Sequence, residues 1–238
     1  MKFREYGKKG QPIIVMIHGE YATGWNYEEQ SLLLSEHFFV IVPEWEKSQD
    51  FKSIEQCAQE IEQYLIENKY GRIAILIGTG IGGLITIKIL SENPFLCSDC
   101  ILESVPLLDH KTIYPKFLFS LTKLPFVIRY NAYRYHIPFE KYGKFRTNQK
   151  QRTYETYANI LQAKKTFQLP KLYRVQAKTL ILVGEHENKR AKQSAQMLYR
   201  SLIDSELEYT KTSISGEFSR NTAQYCVVRL MKLYQSIL

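Results

Sequence analysis

The sequence predicts an α/β fold: a mostly parallel sheet flanked by helices, interrupted once by a helical insertion. Three observations carry this. Short apolar runs alternate with helix-length segments, which is the signature of parallel strands joined by crossover helices. The 238 residues are 45% hydrophobic and 24% charged, ordinary for a globular chain able to bury a sizeable core. Residues 107–171 lack strand-like runs, read as helical, and are punctuated by Pro125, Pro138 and Pro170. This composition excludes a disordered chain, a collagen-like repeat and a disulfide-stapled miniprotein.

Pro12 to Ile17 (PIIVMI) reads as a buried strand ending at His18-Gly19. Asn26 to His37 has helical spacing, and Phe38 to Val42 is a strand stopped by Pro43. Ser53 is placed as an N-cap, with Gln56 three residues on, for a helix to about Asn68. Ile73 to Ile77 forms the next strand, Gly78 to Gly83 a glycine-rich turn, and Leu84 to Ser91 a helix ended by Asn93-Pro94. Cys100 to Glu103 is a short strand. Beyond residue 171 come a strand at Thr179 to Val183, a helix at Arg190 to Ser201, a strand at Glu206 to Thr210 and a helix over Asn221 to Ile237. The expected organisation is therefore a core of residues 1–106 and 172–238 carrying a cap of residues 107–171.

No apolar run approaches the roughly 18 residues of a membrane helix, and MKFREYGKKG lacks the apolar stretch of a signal peptide. The expected location is the cytoplasm. Of four cysteines, Cys97 and Cys100 form a C-x-x-C, read as a loop where a helix gives way to a strand. A zinc site needs two more ligands, and neither a second C-x-x-C nor an H-x-x-x-H is present. Two reduced thiols are expected, with no metal and no cofactor.

The net charge of +8 is unevenly placed. Residues 107–171 hold 13 Lys+Arg against 3 Asp+Glu, and the rest of the chain is slightly acidic. The same segment carries Tyr114, Phe117, Phe119, Phe126, Tyr130, Tyr133, Tyr135, Phe139, Tyr142 and Phe145. One reading is a solvated helical surface. The sharper reading is attraction of an anionic partner: an acyl phosphate or thioester, an anionic lipid surface or an acidic protein. The absence of a nucleic-acid-binding motif argues against nucleic acid.

The run ILIGTGIGG, between a strand and a helix, admits three readings. Gly78, Gly80 and Gly83 match a dinucleotide loop, with Glu103 placed 20 residues on. Two strand–helix units already precede the run, however, and no second mononucleotide half follows. The second reading is a G-x-S-x-G nucleophile elbow with Gly80 at the nucleophile position. The third is a structural turn that permits close packing.

Together with His18-Gly19-Glu20, ATGWNY at 22–27, the helix start at Phe51 to Glu55 and LILVGEHE at 180–187, this run makes the chain resemble the α/β-hydrolases, most of all the small bacterial esterases and carbon–carbon bond hydrolases. The resemblance covers nearly the whole length and implies an α/β-hydrolase fold with residues 107–171 as its lid. It places His18, Gly19, Glu20 and Ile81 at the oxyanion pocket, the backbone N–H groups of Glu20 and Ile81 serving as donors. Gly80 falls at the nucleophile position, Glu187 at the acid position, Glu103 at the alternative acid position and Gly216 near the base position. The loop KTSISGEFSRN holds no histidine, so nucleophile and base are both missing.

Substitutes for them would come from Thr79, Ser104, Ser215 or Cys226, with His110 or His136 swinging in from the lid; His186 is expected to be exposed. Thr79 is expected to point away from the vacated position, and Cys226 to be buried. The space beside Gly80 is expected to be open to water or a ligand atom, above a floor made acidic by Glu20, Glu103 and Glu187. The implied function is a pseudo-hydrolase that binds a small anionic or acyl-type molecule, or a protein, beneath a basic aromatic lid. The alternative is an esterase-like hydrolase, or a lyase, using other groups.

Overall fold

The computed structural model describes residues 1–20, 24–45, 51–108, 112–211 and 230–231. Its sheet has seven strands in the order β1-β3-β2-β4-β5-β6-β7. These are β1 (Lys2–Tyr6), β2 (Ile13–Ile17), β3 (Phe39–Glu44), β4 (Ile73–Thr79), β5 (Cys97–Glu103), β6 (Lys178–Gly184) and β7 (Ser205–Thr210). Six run parallel, and β1 lies antiparallel to β3 at the edge. The sheet is flanked by α1 (Glu28–Leu34), α2 (Ile54–Glu67), α3 (Ile81–Glu92) and α8 (Lys189–Ser201). Between β5 and β6 stand α4 (Lys116–Leu121), α5 (Pro125–Arg134), α6 (Phe139–Gln151) and α7 (Tyr154–Thr166).

The central strands are buried on both faces, which explains their continuous apolar runs rather than alternation. One side packs on α2 and α3 through Val15, Leu76, Leu84, Ile85 and Leu102. The other packs through Ile14, Met16, Val40, Ile75 and Ile77, with Tyr27 and Leu34 from the segment before β3. The helix starts follow local chemistry. Ser53 Oγ accepts from the Gln56 N–H at 3.1 Å, as its position in the sequence predicts. Pro125 opens α5 and Pro138 caps α6, so these prolines begin helices rather than interrupt them.

Several expectations need correction. The strand β1 was not foreseen; KFREY is an alternating, half-exposed edge strand whose charges mask its pattern. The strand β3 runs through Pro43 to Glu44, because the β2 ladder ends at Ile41 and only β1 flanks Pro43. The helix foreseen over 26–37 is a 3-10 turn, Gly24–Tyr27, followed by the shorter α1. The turn foreseen at 78–83 shrinks to Gly80, for Gly78 belongs to β4 and Gly82 and Gly83 to α3. Cys97 and Cys100 lie within β5, not in a loop. Both are free and buried, and burial pushes the Cys97 thiol up to about 12 and Cys100 upward as well. The helix expected over 221–237 falls almost wholly outside the described residues, as do Cys226, Ser215, Gly216 and His110.

Candidate active site

The parallel strands β2, β4, β5 and β6 end on one edge of the sheet, where a doubly wound fold places its ligands. Gly80 sits there between β4 and α3 with φ 56° and ψ −123°. L side chains rarely adopt this conformation, so glycine suits it. The turn is fixed by the Gly80 N–H donating to the Glu103 carbonyl at 2.9 Å and the Gly83 N–H donating to the Gly80 carbonyl at 3.0 Å. Gly82 allows α3 to press against the end of β2, since a Cβ there would strike the Ile17 carbonyl.

Glu20, which follows the end of β2, reaches across this turn. Its Oε2 accepts from the Ile81 N–H at 3.3 Å, at the electropositive start of α3. Its Oε1 accepts from Lys164 Nζ of α7, forming an ion pair whose side chains are 10% and 2% exposed. A Cβ built on Gly80 would lie 2.7 Å from Glu20 Oε2. The expected open space beside Gly80 is therefore taken by a carboxylate of the protein itself. The expected acidic floor changes with it, because the Glu20 charge is matched by a buried cation.

Thr79 points away from this space, as expected. Its Oγ1 donates to Glu103 Oε2 at 3.1 Å and lies 2.6 Å from the Tyr27 hydroxyl. With the threonine proton committed to the carboxylate, Tyr27 is left to donate to Thr79. The buried Glu103 is thereby tied into a Tyr27–Thr79–Glu103 chain behind the turn. Glu187 stands apart from this chain. Its Oε1 accepts from Ser104 Oγ at 2.6 Å and from the Gly184 N–H at 3.0 Å, joining the ends of β5 and β6. Ser104 itself adopts φ 52°, and His136 φ 47°. His136 and His186 are both exposed.

His18 is buried. Its Nδ1–H donates to the Gly19 carbonyl at 2.9 Å, its ring stands edge-on to Trp45, and its Nε2 has no hydrogen-bond partner among the described residues. Burial holds its pKa down at about 3. The side chain is thus buried and uncharged. The unfolded chain takes up this proton near pH 6.5, whereas the folded chain resists until about pH 3. Stability should fall as pH drops below about 6.5, by up to about 1.4 kcal/mol per unit from this group. Urea unfolding at pH 7, 5 and 4 checks this. His18→Asn should flatten the slope, and equal slopes in the two proteins would remove His18 as the cause.

Lys164 was not singled out by sequence reasoning, which counted it only among the basic residues. A signal was present: Tyr157, Ile160, Leu161 and Lys164 occupy one helical stripe, and all four are buried. A lysine continuing an apolar stripe calls for a buried counter-charge.

The whole fold superposes on those of solved esterases and an enol-lactonase. The chain has the α/β-hydrolase fold. An esterase from Exiguobacterium antarcticum superposes with a TM-score of 0.77 at 19% identity, over 98% of this chain and 94% of that one. The enol-lactonase from Burkholderia xenovorans gives 0.77 at 14% identity, over 98% and 96%. Carboxylesterases of the thaumarchaeon Nitrososphaera provide a match at 0.74 and 16% identity, over 100% and 96%. No family model matches the sequence, and no curated protein matches it. No helix among the described residues is long and apolar enough to cross a membrane, and no cluster there has the makings of a metal site.

Proposed function

We propose that this chain is a pseudo-hydrolase: an α/β-hydrolase-fold protein that serves in binding or interaction and does not run serine-triad hydrolysis. The observation that carries this reading is the Glu20 carboxylate, held by Lys164, lying over Gly80 and engaging the Ile81 N–H. In this reading Gly80 stands at the nucleophile position, Glu187 and Glu103 at the two acid positions, and Gly216 at the base position. Glycine offers no attacking group, and a fixed carboxylate opposes the negative charge that an acyl-transfer site must stabilise. The helices α4–α7 act as a lid over a small anionic or acyl-type ligand or a protein partner. No cofactor or nucleic acid enters the proposal. A cytoplasmic setting accords with the free, buried thiols of Cys57, Cys97 and Cys100 among the described residues.

A second reading is an esterase-like hydrolase that uses other groups. The solved structures just named favour it over the first, since all are hydrolases. Ser104 supplies a specific candidate, a serine in a left-handed conformation with its hydroxyl on Glu187. One experiment separates the two readings. The intact protein is treated with a fluorophosphonate and, separately, assayed with short p-nitrophenyl esters. The pseudo-hydrolase should remain unlabelled and turn over ester no faster than heat-denatured protein. Stoichiometric labelling would reject it, and a modified Ser104 peptide would locate the active group.

A further inference from the structure

The segment 112–139 contains Lys116, Lys123, Arg129 and Arg134 and no Asp or Glu. It also concentrates exposed apolar surface. Phe117, Leu118 and Leu121 of α4, and Phe126, Tyr130 and Tyr133 of α5, all face solvent, with Phe117 68%, Phe126 69% and Tyr133 82% exposed. The arrangement on α5 follows helical geometry. At about 100° per residue, Phe126, Tyr130 and Tyr133 form one narrow stripe. Ile128 and Ala132 lie on the opposite side, buried against Trp25 and Phe145. Arg129 and Arg134 fall on either flank of the stripe. The helix α4 is anchored likewise, by Phe119 packed against Tyr157 and Leu161 of α7. Each helix is therefore held to the body by one face and presents aromatic or aliphatic side chains on the other.

We infer that the outward faces of α4 and α5 dock this protein on an anionic lipid surface. Burying a face this apolar gains free energy that solvent denies it. The charge pattern selects the occupant. A second copy would bring the same cations against its own, whereas anionic headgroups match arginines placed beside a stripe of rings. Tyrosine and phenylalanine suit the boundary between headgroups and acyl chains, where an amphipathic helix lies flat. Neither the apolar face nor the cations alone give firm attachment, and here the two are combined.

The test is sedimentation of the full chain with vesicles of phosphatidylglycerol and phosphatidylcholine mixed equally, beside vesicles of phosphatidylcholine alone. Binding should appear on the anionic vesicles, weaken at least tenfold without the anionic lipid, and fall as salt rises. Each basic residue near such a surface contributes about fivefold. Arg129→Glu/Arg134→Glu should therefore reduce binding at least tenfold, and Phe126→Ser/Tyr130→Ser/Tyr133→Ser should do so even at low salt. All five positions are exposed, so the circular dichroism and melting temperature should be unchanged. No sedimentation at low salt would overturn the inference. So would binding indifferent to both sets of variants, or concentration-dependent self-association that the serine variant abolishes, which would assign the face to a second copy.

Discussion

Lys164→Met should destabilise the fold by about 3–5 kcal/mol. The ammonium is 2% exposed and pairs with a carboxylate 10% exposed, so little water is available to replace it. Removing only the cation leaves the Glu20 charge in a low-dielectric site, and the desolvation of that charge is then offset by far less. The double variant Glu20→Gln/Lys164→Met should recover most of the loss, since a neutral amide still accepts from the Ile81 N–H. The coupling between the two positions, read from urea unfolding of the four proteins, should be large and favourable. Single variants within about 0.5 kcal/mol of the parent, the usual range for surface changes, would show that the pair is solvated and does not close the site.

Gly80→Ser is the complementary prediction. The backbone at φ 56° and ψ −123° strains any residue with a Cβ, by about 1–3 kcal/mol. The new Cβ would also meet Glu20 Oε2 at 2.7 Å, so the carboxylate must move or the turn must open. Stability should fall by at least the strain. The serine should nevertheless bring no ester turnover above background. Residues 211–221 hold no histidine to deprotonate it. A rise of a hundredfold or more in p-nitrophenyl ester hydrolysis from this single change would refute the blocked-site reading, for it would reveal a working base and oxyanion hole.

What was legible in the sequence depended on periodicity. Buried parallel strands make unbroken apolar runs, and β2, β3, β4 and β6 appear where such runs occur. The N-cap at Ser53 and the turn at Gly80 were equally readable, because each depends on neighbours within a few residues. The edge strand β1 was hidden because one exposed face lets charged residues dilute the alternation. The C-x-x-C was read as two reduced thiols in a loop; both are free, but they lie within β5, because the strand begins at Cys97 rather than at Cys100.

The sequence by itself determined the alternating fold, the conformational freedom at residue 80 and the excess of positive charge in residues 107–171. It also marked which side chains share a helix face. Only the tertiary structure decided what each face meets. It put Phe119 and Phe145 inside and Phe117, Phe126 and Tyr133 outside, although all five belong to the same aromatic-rich segment. It buried His18 beside Trp45 and held it neutral. Above all, it joined Glu20 to Lys164, 144 residues apart in the chain. The physical reason is one of range. Hydrogen bonds along a helix or turn are set by neighbours in sequence, so composition and spacing reveal them. The partner of a buried charge is set by which surfaces pack together, and local spacing carries no record of that.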